Sequence, residues 1–196
     1  METVRIADGL WRWTASHPSW ENWPDHERLP REVGCVYYEA DEATVLVDPL
    51  IPADEEVEFL RHLDADVERR LLPVVIHLTA GWHRRSADEL AERYGARIGG
   101  SPPGDVEEIA IEGADELQVA YFIQPHGALI VAEIFWVDIY GELHVGSSPI
   151  LGRPHELEAS LERLMELPVE RLLVSHGEPI LKDAKPRMAE ALARRQ

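Results

Sequence analysis

Three segments of the sequence carry residues suited to chemistry rather than to plain packing. The first is Ile76-His77-Leu78-Thr79-Ala80-Gly81-Trp82-His83-Arg84-Arg85-Ser86, where an apolar run passes into a short loop and then a helix start. Loops at strand ends present side chains from a rigid frame, and imidazole groups placed there can ligate a metal or move a proton. The second is Glu133, set inside the apolar run Ala128 to Val137. A carboxylate in such surroundings is costly unless it is paired, protonated or bound to a cation. The third is Ser175-His176-Gly177-Glu178-Pro179, another strand end that carries a histidine.

These segments need a frame, and the hydrophobic pattern supplies one. Gly9 to Thr14 alternates apolar and polar residues, which predicts a half-buried strand. Residues 16 to 32 hold three prolines and mixed polarity, and so read as a long loop. Loops above about 12–15 residues are commonly lids or binding loops, and Trp20 and Trp23 favour an ordered lid. Val36–Ala40 and Thr44–Val47 read as a strand pair ended by Asp48-Pro49. A helix over Ala53–Leu63 follows, with Val57, Leu60 and Leu63 on one face. Leu72–Ile76 reads as a strand buried on both faces. Ser86-Ala87-Asp88-Glu89 has the form of a capping box opening a helix that Gly95 closes. Strands are expected at Glu107–Ile111, Leu117–Ile123 and Ala128–Phe135, with a turn at Pro125-His126-Gly127. Helices over Glu156–Leu167 and Ala184–Arg194 bracket a last strand, Arg171–Ser175. Paired strands with interspersed helices predict sheets covered by helices on their outer faces, not a doubly wound parallel sheet.

Composition narrows the functions. The chain has 196 residues and is 45% hydrophobic, which fits one domain, 1–196, with a sizeable core. Its 37 acidic and 19 basic residues give a net charge of -18. That disfavours nucleic acid as a partner and a polybasic membrane anchor, since both depend on Lys and Arg. A lone cysteine, Cys35, excludes an internal disulfide and reads as a small core residue. No apolar stretch follows the first residues, so a soluble cytoplasmic protein with no membrane partner is expected.

In their order along the chain, these landmarks resemble the metallo-β-lactamase superfamily. Gly9–Trp13 is similar to its opening strand, and Leu46-Val47-Asp48-Pro49 to its strand ending in aspartate. Leu72–Tyr94 is similar to the strand, metal-motif loop and capped helix. Ala128–Phe135 is similar to the strand that carries a bridging aspartate, and Leu172–Pro179 to the C-terminal strand with a metal-binding histidine. The resemblance implies an α/β fold, an αββα sandwich of two mixed sheets flanked by helices. It also implies a metal motif that is degenerate here. With the last histidine of the family's His-x-His-x-Asp-His motif on His83, its other positions fall on Leu78, Ala80 and Trp82. The histidine of the family's Pro-Gly-His turn falls on Ala114, the bridging aspartate on Glu133 and the last histidine on His176. A rival register sets Pro125-His126-Gly127 against that turn and puts Ser147 at the bridging position.

In the adopted register the dinuclear centre is lost. His83, Glu133 and His176 remain as donors for at most one zinc or similar divalent ion, enough for a catalytic site with an open fourth position. A two-metal clamp needs ligands this chain lacks. Against this stands a plainer reading, with no cofactor. His83 is then a hydrogen-bonded core histidine, Trp82 fills the old metal cavity, and Glu133 pairs with Arg84 or Arg85. Trp82, Arg84, Arg85, Asp48, Trp20 and Trp23 would line the pocket in either case, with Arg84 and Arg85 able to hold an anion beside the helix start. Three functions follow: a divergent hydrolase of a small molecule, a metal-free small-molecule-binding or regulatory pseudoenzyme using the same cleft, or a homodimer-forming structural protein.

Overall fold

The protein is described by a computed structural model covering residues 2–23, 27–114, 117–146 and 154–194. Six strands form the first sheet in sequence order: β1 (Thr3–Ala7), β2 (Leu10–Ser16), β3 (Glu32–Glu39), β4 (Thr44–Val47), β5 (Val74–His77) and β6 (Arg97–Ile98). Helices α1 (Glu56–Arg70) and α2 (Ala87–Tyr94) cover its outer face. The second sheet has β7 (Val106–Ile111), β8 (Gln118–Ile123), β9 (Ala128–Val131) and, beyond a separate hairpin of β10 (Phe135–Val137) and β11 (Leu143–Val145), β12 (Arg171–Val174). Its strands run in the order β12-β9-β8-β7, and α3 (Pro154–Glu166) and α4 (Ala184–Arg194) cover its outer face.

Three apolar layers hold this αββα sandwich together. Val36, Tyr38, Val45 and Val75 meet Tyr121, Ile123, Ile130 and Leu173 between the sheets. Trp13, Tyr37, Leu46 and Ile76 pack on Phe59, Leu60, Leu63 and Leu90 of α1 and α2. Phe122, Leu129 and Leu172 pack on Leu157, Leu161, Leu164 and Met188 of α3 and α4. Burying this apolar area is what offsets the chain entropy lost on folding.

Several elements differ from the sequence expectations, each for a physical reason. The helix expected to stop at Leu63 runs to Arg70, because no breaker precedes Pro73. Its buried stripe passes through Phe59, Leu60 and Leu63, and leaves Val57 exposed. Ser86 does not cap α2 with its side chain; its Oγ accepts the N–H of Ile51 at 3.0 Å instead. The strand expected over Ala128–Phe135 breaks after Val131, and the chain turns through Ala132-Glu133-Ile134 before pairing again as β10. Glu133 therefore sits at a strand end, not within a ladder. Among the described residues no helix is long and apolar enough to cross a membrane.

Candidate functional site

Two parallel strand pairs end at the same edge of the sandwich and build the site. Val47 of β4 pairs with His77 of β5, and Val131 of β9 pairs with Val174 of β12. The residues just beyond those ends are Asp48, the loop 78–85, Glu133 and His176. Two main-chain bridges close the frame around them, Val33 with His176 and Ala80 with Gln118.

His83 stands between two carboxylates. Its Nδ1 lies 3.0 Å from Asp48 Oδ2, and its Nε2 lies 2.9 Å from Glu133 Oε1. Asp48, only 3% exposed, is fixed in turn: its Oδ1 accepts the N–H of Thr79 at 2.8 Å, and its Oδ2 accepts the Thr79 hydroxyl. Asp48 holds a left-handed backbone (φ 50°), which aspartate tolerates better than most residues. Carboxylates can only accept, so both ring nitrogens of His83 donate and the ring is an imidazolium. Burial alone would lower its pKa, but the charges of Asp48 and Glu133 outweigh burial and push it up to about 9. For Glu133, burial acts upward, yet His83 and His176 hold its carboxyl well below the usual range.

Glu133 Oε1 is the meeting point of the cluster. Besides His83 it accepts the indole N–H of Trp82 at 3.3 Å and lies 3.5 Å from His176 Nε2. Trp82 is 41% exposed, so it caps Glu133 from the solvent side and is not a buried plug. Burial lowers the pKa of His176, against the pull of Glu133. Glu133 Oε2 and His176 Nδ1 are buried with no hydrogen-bond partner.

The arginines divide. Arg84 forms a surface ion pair with Asp88. Arg85, also left-handed (φ 34°), turns inward and donates to Asp48 O at 3.0 Å and Ser175 Oγ at 2.9 Å. Neither pairs with Glu133, which finds His83, His176 and Trp82. The tryptophan loop packs on the site: the Trp23 ring lies 5.0 Å from that of His176, edge to face, and Trp20 Nε1 closes the loop onto Leu29 O at 2.9 Å. The His17 ring lies 4.5 Å from that of Trp23, tilted by 45°. Its burial, with the charge of Arg85 behind it, pushes its pKa down to about 4.

Other histidines lie elsewhere. His126 is in the turn joining β8 to β9, at the opposite end of β9 from Glu133, and its ring faces Tyr38. Ser147, the rival bridging residue, falls outside the described residues, as does His26. His77 is fully buried against Tyr121 with neither ring nitrogen partnered.

A metal requires lone pairs converging on one point. Leu78, Ala80, Trp82 and Ala114 offer none, so a two-metal centre does not fit these residues. For a single ion, His83 Nε2 and His176 Nε2 lie 2.9 and 3.5 Å from Glu133 Oε1, and binding there would have to displace the proton from His83 Nε2. Among the described residues, the group of three donors whose ligand atoms all lie within 4.8 Å of one another is a different one, Asp138, Glu142 and His144. Sequence reasoning passed over that group. Its signal was the Asp138-x-x-x-Glu142-x-His144 spacing, legible only once the β10–β11 hairpin is known. Asp138 is saturated there: Oδ1 accepts the N–H groups of Tyr140 and Glu142, both at 2.9 Å, and Oδ2 receives His144 at 3.0 Å and Arg28 at 3.3 Å.

Two sheets packed face to face, helices outside, and a site at the shared strand ends define the metallo-β-lactamase fold, and the chain has that fold. It superposes on a metallo-β-lactamase from Erythrobacter litoralis with TM-score 0.65 and 12% identity, covering 98% of this chain and 92% of that one. A metallo-β-lactamase from Pontibacter korlensis gives TM-score 0.58 at 14% identity, with 98% of each chain covered. A Nostoc sp. PCC 7120 fragment described as a diflavin flavoprotein gives TM-score 0.64 at 13% identity, covering 98% of this chain and 95% of that one. No family model matches the sequence, and no curated protein matches it.

Proposed function

We propose that this protein is a metal-free small-molecule-binding member of the metallo-β-lactamase fold, whose dinuclear centre has been replaced by an ion-pair cluster. The observation that carries this is His83, hydrogen-bonded through both ring nitrogens to the carboxylates of Asp48 and Glu133. A buried imidazolium there supplies positive charge between two acids, as a cation would, without a free ligand position. The ligand would enter beside Trp82 and Trp23, and its hydrogen-bond donors would meet the unpartnered Glu133 Oε2. Unmet buried acceptors of this kind are expensive until something donates to them.

The second reading is a hydrolase holding one ion through His83, Glu133 and His176. What favours it is the carboxylate behind His83 Nδ1, an arrangement common behind metal-ligating histidines. Elemental analysis of protein purified without added metal, followed by zinc titration calorimetry, separates the two. The binding-module reading expects no stoichiometric metal and no saturable zinc uptake that His176→Ala abolishes. Stoichiometric zinc lost in that variant, with zinc-dependent ester or lactam turnover, would establish the hydrolase.

A further inference from the structure

β2 alternates Trp11, Trp13 and Ala15 with Arg12, Thr14 and Ser16, and such alternation normally turns the polar set to water. Here Arg12 is 4% and Thr14 9% exposed. Their face, with Ser16, lines a solvent-open cleft of about 960 Å³ between the base of the tryptophan loop, the chain before α1, the Asp138–Gly141 turn and the Gly177-Glu178 turn. The cleft is lined by none of His83, Glu133 or His176 and lies beyond the Gly177 side of the metal-fold site.

Arg12 is the unusual group in it. One terminal nitrogen donates to Gly177 O at 2.7 Å, and its Nε is buried with no partner. No carboxylate among the described residues lies within ion-pair distance of it. Burial disfavours its charge, and Glu178 only partly offsets that from a distance. A buried guanidinium without a counter-ion is rare, because its desolvation is not repaid. Gly34 is what lets it lie there: a Cβ on that residue would come within 2.7 Å of Arg12 Nε. The remaining walls are acidic. Glu2, Glu32, Glu178 and Asp138 line the cleft, with Asp54 and Glu55 on the loop before α1, and Arg31 is the other cation.

We infer that this cleft binds a small zwitterion of the α-amino acid or short-peptide class, its carboxylate toward Arg12 and its ammonium among Glu2, Glu32 and Glu178. A guanidinium in a partly dry wall suits a carboxylate, with Thr14 and Ser16 as hydroxyl donors beside it. The acid-rich rim repels a simple anion and selects one that also bears positive charge. This inference does not depend on the reading of the His83 cluster.

The test is titration calorimetry of the full chain with glycine, L-alanine, L-leucine, L-lysine and Ala-Ala, alongside N-acetyl-L-alanine and L-alaninamide. Saturable binding of at least one zwitterion is expected, with loss of about tenfold or more in affinity when either terminus is blocked. Arg12→Lys should remove the carboxylate dependence, and Glu178→Gln should weaken binding of the same ligand without changing the fold. If Arg12→Lys does not fold, the blocked ligands and Glu178→Gln still decide the matter. No binding by any zwitterion, or equal binding of the blocked forms, overturns the inference.

Discussion

Raising the pH through the titration of His83 should remove a defined part of the stability of this protein. His83 is 2% exposed, and the carboxylates beside it push its pKa up to about 9 in the folded state against an ordinary value of 6.5. The folded state therefore binds the proton more tightly than the unfolded chain. The sign follows: the contribution is fully present below about 6.5 and is lost as the pH rises through about 9. At roughly 1.4 kcal/mol per pH unit, the shift corresponds to about 3 kcal/mol, most of it still present at pH 7. Urea unfolding followed by tryptophan fluorescence at pH 7 and pH 10 measures the loss. Tyrosines and lysines also titrate in that range, so the comparison is with His83→Gln, which cannot gain the proton. The unmodified protein should lose on the order of 2–3 kcal/mol more than His83→Gln between those two pH values. Equal losses would mean that His83 is not an imidazolium between two carboxylates, and the metal-free reading of the site would lose its support.

Further predictions test the surrounding frame. Glu133→Gln should lower the pKa of His83, seen by NMR titration of its ring signals, because one of its two flanking charges is gone. Gly177→Ala should destabilise severely in thermal unfolding, since φ is 86° and a Cβ there would meet Val137 O at 2.1 Å. Ser86→Ala should cost about 1 kcal/mol in urea unfolding through the orphaned Ile51 N–H, with the helicity of α2 unchanged by circular dichroism. Asp138→Ala should cost about 2–3 kcal/mol by the same measurement, because it strands the Tyr140 and Glu142 N–H groups and leaves His144 without its carboxylate.

The order and type of most elements were legible in the chain itself. Apolar periodicity, Asp48-Pro49 and Gly95 depend on neighbours close in sequence, and β4 and α4 fall where the pattern places them. So did the three chemical segments, since histidine and glutamate at the ends of apolar runs are local anomalies. What the chain could not display was partnership. Whether Glu133 meets Arg85 or His83 depends on how β9 and β12 register against β4 and β5, a relation between residues far apart in sequence. The break of the 128–135 run after Val131 was hidden too: β10 pairs with β11 in a separate hairpin and not with the sheet. The polar face of β2 shows the limit most clearly. Alternation reports that Arg12 and Thr14 share a side, but only the packed sheets decide that this side is buried at the base of a cleft and not spread on the surface. Short-range pattern sets the chemistry each segment carries. The distances at which those segments meet set charge, protonation and ligand access, and distance is a property of the folded chain.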